Sequence, residues 1–115
     1  MSDTIFGKII SGEIPSELLY EDEYCVVIND INPQAPVHVL IIPRQGISRL
    51  ADAQDTDQAL LGHLMLVAGK VARQLGVEEA FRLIINNGAE AGQTVFHLHL
   101  HIIAGREFAE GQMAG

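Results

Sequence analysis

Near the C-terminal end of the chain, His97, His99 and His101 alternate with Leu98, Leu100 and Ile102. An imidazole titrates at about 6.5, so close to neutrality it can serve as nucleophile, base or acid. Three of them spaced by two offer one ring to attack, one to protonate a leaving group and one to orient the others. In an extended segment, a period of two puts the three rings on one face and the three aliphatic side chains on the other. With five His in 115 residues, this spacing arises by chance about once in a hundred such chains. A shared metal ion is a weaker reading. At ~3.3 Å per residue His97 and His101 lie ~13 Å apart, too far for one ion to hold all three rings at ~2.1 Å. A metal site would need two of them and an outside ligand such as His38. A purely structural trio would need hydrogen-bond partners for both nitrogens of every ring.

The loop before the triad points to an electrophile. Gly88 and Gly92 permit unusual backbone angles, and Gly92-Gln93-Thr94 is expected to expose N–H groups beside the histidines as a main-chain anion cradle. No Lys or Arg occurs from Leu83 to Gly105. A triphosphate site normally recruits such cations, so one phosphorus centre handled by amides and imidazoles fits better.

The elements that must position these groups follow from periodicity. Residues 4–11 read as a short helix with Ile5, Ile9 and Ile10 on one face and Asp3 or Thr4 as N-cap. Strands are expected over 18–20, 24–29, 37–42 (closed by Pro43), 81–86 and 95–103. Leu60, Leu61, Leu64, Met65, Ala68, Val71, Ala72 and Leu75 recur at i+3/i+4 and predict a long amphipathic helix over 56–75, with Asp55 or Thr56 capping its start and Gly76 its end. Five strands joined by short connections, with one long and one short helix, make an α+β domain on a five-stranded antiparallel sheet. Residues 1–115 form one domain, with 104–115 a loosely ordered tail.

Fifteen acidic against seven basic residues give a net charge of −8. Such a chain is repelled by polyanions, which argues against nucleic acid and anionic membranes as partners. A single cysteine, Cys25, excludes an internal disulfide and fits a reducing, cytoplasmic setting. The N-terminal stretch lacks the apolar run of a signal peptide, and no run approaches the ~20 apolar residues of a membrane span.

The segment His97-Leu98-His99-Leu100-His101-Ile102-Ile103 resembles the pattern of the histidine-triad (HIT) superfamily. DTIFGKIISGEIP, INDINPQAPVHVLIIPR, LLGHLM and NNGAEAGQTVFHLHLHIIAGR resemble its Hint branch of nucleotide-binding proteins. The resemblance covers nearly the whole chain. It implies a purine nucleoside phosphoramidase that hydrolyses the P–N bond of AMP-type substrates, with no cofactor and no metal. By that resemblance His99 attacks phosphorus to give a nucleotidyl-histidine, His101 contacts the phosphate and protonates the leaving group, and His97 and His38 support the rings. Asp30 would bind the ribose hydroxyls; Phe6, Ile28, Ile31 and Leu40 would wall the purine; Asn86, Gly92, Gln93, Thr94 and Val95 would surround the phosphate. Family members pair as homodimers with a continuous ten-stranded sheet, and Leu60, His63 and Val67 border the stripe that could serve this interface. Asn29 and Ile28 stand where some relatives carry His and an aromatic, and the tail lacks the Trp-Pro ending of animal members. A nucleotide-binding regulatory module needs the same pocket and is the alternative to an enzyme.

Overall fold

The computed structural model describes residues 4–111. In chain order the elements are α1 (Ile5–Ile10), β1 (Tyr20–Glu21), β2 (Cys25–Asn29), β3 (Val37–Pro43), α2 (Gln58–Gln74), β4 (Phe81–Ile84) and β5 (Leu100–Ala104), with 3-10 turns at Leu50–Asp52, Asp55–Asp57 and Ala89–Ala91. The strands form one sheet in the order β1-β2-β3-β5-β4, antiparallel at every pairing. The α+β architecture expected from the pattern is therefore present.

Side-chain alternation divides the sheet into two layers. Cys25, Val27, Val39, Ile41, Leu98, Leu100 and Ile102 meet Leu64, Val67, Ala68 and Val71 of α2 in the larger core. On the other face Val26, Ile28, Leu40 and Ile42 pack against Phe6 of α1, with Ile9, Ile10 and Val95 flanking. The central strands β2 and β3 are thus covered on both sides, which explains why they read as continuous apolar runs rather than alternating ones.

Several expectations are corrected. In α1 the buried stripe is Phe6, Ile9 and Ile10, an i, i+3, i+4 set; Ile5 precedes it by one residue and is exposed. Thr4 is the N-cap, its Oγ1 accepting from Gly7 N–H at 3.1 Å; Asp3 lies outside the described residues. Neither Asp55 nor Thr56 caps α2. Instead Gln54 and Asp57 cap each other's backbone reciprocally one turn earlier, and buried Asp57 also accepts from Gln45 Nε2 at 2.9 Å. β4 stops at Ile84 and β1 has only two residues. β3 runs on through Pro43, while β5 begins at Leu100 rather than Val95. The register sets Ile41 opposite Leu100, so its continuation would bring Pro43 against Leu98. Proline has no N–H to give that ladder.

Val67 is fully buried in the chain's own core and has no surface to offer a partner. The exposed apolar residues of α2 are Met65 and Leu66. His63 is fastened inside the chain. Its Nε2 donates to Asp22 Oδ2 at 2.7 Å, while Asp22 also accepts from Tyr20 Oη and from the N–H groups of Tyr24 and Cys25. Burial alone would raise the Asp22 carboxyl, but these donors hold it well below the usual carboxylate range. Cys25, fully buried in β2, has its thiol pushed up to about 12 by burial and by Asp22. The first part of the tail is tied to the sheet rather than loose. Arg82 of β4 and Arg106 stack on the Phe108 ring at 4.9 and 4.3 Å, and Arg82 donates to the Ala109 carbonyl. Among the described residues no helix is long and apolar enough to cross a membrane.

Leu64 and Leu66 are two residues apart on α2 with opposite environments, 0% and 70% exposed. In urea denaturation at a dilution where the chain is monomeric, Leu64→Ala is expected to cost about 2–5 kcal/mol, whereas Leu66→Ala stays within about 0.5 kcal/mol. Equal losses would contradict the placement of the α2 core.

Candidate active site

The three histidines share the α1 face of the sheet, although only His101 belongs to the hydrogen-bonded ladder. Residues 95–99 are held by other means. Leu98 N–H donates to Ile47 carbonyl at 2.6 Å and its side chain enters the α2 core, which turns His97 and His99 the opposite way. The rings then form a contiguous series. Phe6 lies edge-on 4.8 Å from His99 and 6.3 Å from His97; His99 is 5.0 Å from His101; and His101 is 5.2 Å from His38.

The hydrogen bonds determine which nitrogen carries a proton, because a carbonyl only accepts and a backbone N–H only donates. His99 Nδ1–H donates to the His97 carbonyl at 2.7 Å, which leaves Nε2 with its lone pair. His97 Nε2–H donates to the Pro43 carbonyl at 2.7 Å, leaving Nδ1 as an acceptor. His38 Nδ1 accepts from Gln34 N–H at 2.9 Å, so His38 carries its proton on Nε2. That proton faces His101 Nδ1 at 2.9 Å and Asp30 Oδ2 at 3.3 Å. His101 Nδ1 is therefore an acceptor, and neutral His101 carries its proton on Nε2. His97 Nδ1 and His101 Nε2 are buried without partners among the described residues, and a buried orphan costs about 1–3 kcal/mol.

All three triad rings have lowered pKa values. Burial is the leading cause for His97 and His99, opposed by their hydrogen bonds to carbonyls. His101 falls to about 4 through burial and the neighbouring His99 and His38, against the pull of Asp30. At neutral pH the triad is uncharged. The coexistence of neutral and protonated rings expected from free imidazole does not hold for the buried triad.

The other expected residues divide. Phe6, Ile28, Leu40 and Val95 come together in one cluster on the histidine face. Ile31 does not join it and is 95% exposed. Asp30 Oδ1 accepts from Asn32 N–H at 2.8 Å, so the turn-forming role and the contact with His38 coexist in one carboxylate. In the glycine loop the expected free amides are partly used. Gly92 N–H donates to Ala89 carbonyl and Gln93 N–H to Gly88 carbonyl, at 3.0 and 3.1 Å. The Gln93 amide is a buried strut whose Oε1 accepts from Gly88 N–H at 2.7 Å, while Nε2 donates to the Ser48 and Val95 carbonyls. Thr94 is exposed. Gly92 has φ +97°, and a Cβ there would lie 3.7 Å from Asn86 Nδ2; backbone conformation rather than crowding demands glycine. Gln34, Pro43 and Ser48 contribute only main-chain atoms, so no side-chain type could have announced them. Donor atoms of Asp30, His38 and His101 lie within 4.8 Å of one another, as do those of Asp22, Cys25 and His63, and either set could hold a metal ion.

Residues 11–108 match the model of the HIT domain family. The chain is 60% identical over 107 residues to an uncharacterized HIT-like protein of Synechocystis, covering 93% of this chain and 94% of that one. A crystal structure of a HIT family hydrolase from Legionella pneumophila superposes with TM-score 0.91 at 39% identity, covering 94% and 97% of the two chains. A histidine triad nucleotide-binding protein from Candida albicans matches with TM-score 0.79 at 36% identity over 87% of this chain and 73% of that one.

Depressed imidazole pKa values mean that the unfolded chain binds more protons than the folded one below about 6.5. The triad's contribution to stability is fully present above pH ~6.5 and is lost as the pH falls toward about 4, the His101 value. Urea midpoints are expected to drop between pH ~7 and pH ~5, and less steeply in His101→Asn. A flat profile for the wild type would contradict the buried neutral triad.

Proposed function

The chain belongs to the HIT-domain family, and from that premise we propose that it is a hydrolase of the Hint type. In this reading it is a purine nucleoside phosphoramidase acting on AMP-type substrates through a nucleotidyl-His99 intermediate. The observation that carries the reading is the tautomer of His99, whose Nδ1–H is committed to the His97 carbonyl at 2.7 Å. Nε2 is left as a neutral, unprotonated nucleophile on a face shared with His101.

The chemistry proceeds in two displacements. A phosphoryl group brought against His101 supplies an acceptor for its orphaned Nε2–H, and its negative charge raises the ring from about 4 toward protonation. When Nδ1 of His101 gains a proton, His38 Nε2–H turns from it to Asp30 Oδ2, already 3.3 Å away. His99 Nε2 then forms a bond to phosphorus as the P–N bond of the substrate breaks, and His101 gives its Nε2 proton to the departing amine. In the second displacement water attacks phosphorus, its proton passes to His101 Nε2, and the bond to His99 breaks. Both nitrogens of His99 return to their starting state, and the product is a nucleoside monophosphate.

The nucleotide is held, in this reading, by Phe6, Ile28 and Leu40 against the base, with exposed Ile31 closing over it. Asp30 sits at the ribose. Asn86, Gly92, Thr94 and Val95 lie around the phosphate, with Gln93 bracing their loop. No cation is required there, which suits a single phosphorus centre. A divalent ion on Asp30, His38 and His101 is the second reading, favoured by their converging donor atoms.

A homodimer is part of the proposal. An apolar cavity of about 510 Å³ lined by Leu50, Leu61, Leu64, Met65, Ile85 and Leu98 lies along α2; the same helix exposes Leu66, and β4 is an edge strand of the sheet. Edge pairing would give ten strands. The chain is expected to run in sedimentation at twice its 12.5 kDa, and Leu66→Glu to shift it to the monomer; a monomeric wild type sinks this part.

Wild type is expected to hydrolyse an adenosine phosphoramidate, insensitive to EDTA, with His99→Ala losing at least ~10³-fold in kcat. Acid-quenched enzyme should carry one nucleotidyl group on His99 by mass spectrometry. No turnover by wild type, or full turnover by the mutant, would overturn the nucleophile assignment, and loss of activity in EDTA would favour the metal reading.

A further inference from the structure

At the start of β3 and the end of β5 the ladder closes on Val37 and Ala104, and Ala104 pairs with Phe81 of β4 as well. One residue further out, Pro36 and Gly105 meet. Gly105 has φ +93°, and a Cβ there would lie 2.8 Å from Pro36 Cβ and 3.3 Å from its Cγ, closer than real Cβ atoms approach. Glycine is therefore required twice, for backbone conformation and for room. Pro36 ends the loop that joins β2 to β3, and this loop holds His38 at both ring nitrogens. Gln34 N–H donates to Nδ1 at 2.9 Å, and Asp30 Oδ2 lies 3.3 Å from Nε2. Asn32 ties the two contacts together, its N–H donating to Asp30 Oδ1 at 2.8 Å and its carbonyl accepting from Gln34 Nε2 at 3.0 Å. Residues 31–34 and Pro36 are exposed, so burial does little to place the loop, and the seat of Pro36 against bare backbone gains weight.

We propose that Gly105 is a positioning residue for the histidine cluster: lacking a side chain, it lets Pro36 close on the end of β5 and so sets the loop that fixes the His38 tautomer. With Gln34 N–H on Nδ1, His38 keeps its proton on Nε2 and presents it to His101 Nδ1 at 2.9 Å. His101 is left with its own proton on Nε2, the position from which a departing amine can take it. A Cβ at residue 105 pushes Pro36 and Gln34 outward, because the end of β5 is laddered on both sides and the exposed loop is not. A hydrogen bond of ordinary length does not survive a displacement of ~1 Å. Without that donor, His38 Nδ1 is free to hold the proton and Nε2 becomes an acceptor. His101 then turns to the tautomer with Nδ1–H and a bare Nε2. The effect on turnover rests on His101 being the proton donor, whereas the effect on His38 does not.

Nitrogen-resolved spectra of the histidine rings in the full chain test the proposal. Wild-type His38 is expected as a single Nε2–H tautomer with a hydrogen-bonded Nδ1. Gly105→Ala should turn it into a mixture of tautomers, speed exchange of the Gln34 amide, and lower phosphoramidate kcat by ~10-fold or more. Gly76→Ala is the control for backbone strain, since φ there is +74° and a Cβ meets nothing within 4 Å. It should lose stability yet keep wild-type histidine resonances and turnover. Pro36→Gly, which unseats the loop without a clash, should shift His38 less than Gly105→Ala does. In Gly105→Ala/Pro36→Gly the strain at residue 105 remains while the clash is gone, so His38 should be no more perturbed than in Pro36→Gly alone. Wild-type His38 resonances in folded Gly105→Ala, or a double variant as perturbed as Gly105→Ala itself, would overturn the positioning role. Should Gly105→Ala fail to fold, unchanged His38 resonances in Pro36→Gly would do the same. The expected His38 changes in a protein whose wild type hydrolyses no phosphoramidate would retain the role and reject the enzymatic reading.

Discussion

One hydrogen bond organises the histidine face: the donation from His99 Nδ1 to the carbonyl of His97, at 2.7 Å. It selects the ring tautomer, and so leaves the lone pair on Nε2. The bond is available because residues 95–99 stand outside the β-ladder, where a backbone carbonyl has no strand partner to serve. Proline at 43 accounts for that early end of the ladder, having no N–H to give, while its own carbonyl accepts from His97 Nε2. A residue that looks like a strand terminator thus anchors one imidazole and frees the acceptor that orients the next.

Much of this was legible in the sequence, and the reasons differ by element. The alternation from Phe96 to Ile103 carries its facing information in a period of two, which survives whether or not the residues are laddered. α2 was legible because eight apolar residues, Leu60 to Leu75, recur at helical spacing over about four turns. Boundaries were less so. The α2 cap comes from Gln54 with Asp57, and a glutamine is a weak capping signal beside Asp55 and Thr56. Ile5 counted as core in a helix too short for periodicity to choose between neighbouring stripes. His63 and Asp22 lie 41 residues apart, and no local pattern pairs them. At the site, the residue types of His38, His97, His99, His101 and Asp30 were readable. The partners that fix their tautomers were not, since Gln34 and Pro43 act through the main chain.

Electrostatics here is a matter of neutrality rather than of charge. Net charge −8 favours proton uptake by a cluster of four imidazoles, yet desolvation outweighs the pull of Asp30 on His99 and His101, and the triad stays uncharged at neutral pH. The one carboxylate in contact, Asp30, accepts from the turn at Asn32 N–H and lies 3.3 Å from His38 Nε2, whose proton faces His101. It is placed to take up a proton donor whenever His101 changes state, so the cluster can pass between two hydrogen-bonding arrangements without moving its backbone.

Cys25 gives the molecule an internal clock. Its thiol sits at the centre of the larger core with no accessible surface and an ionisation pushed up to about 12, so a thiol reagent in solution finds neither access nor thiolate. Labelling must wait for β2 to separate from its neighbours. The rate at which a chromogenic disulfide consumes this one cysteine therefore counts openings of the sheet itself, and a ligand that tightens the fold will lengthen the interval between them.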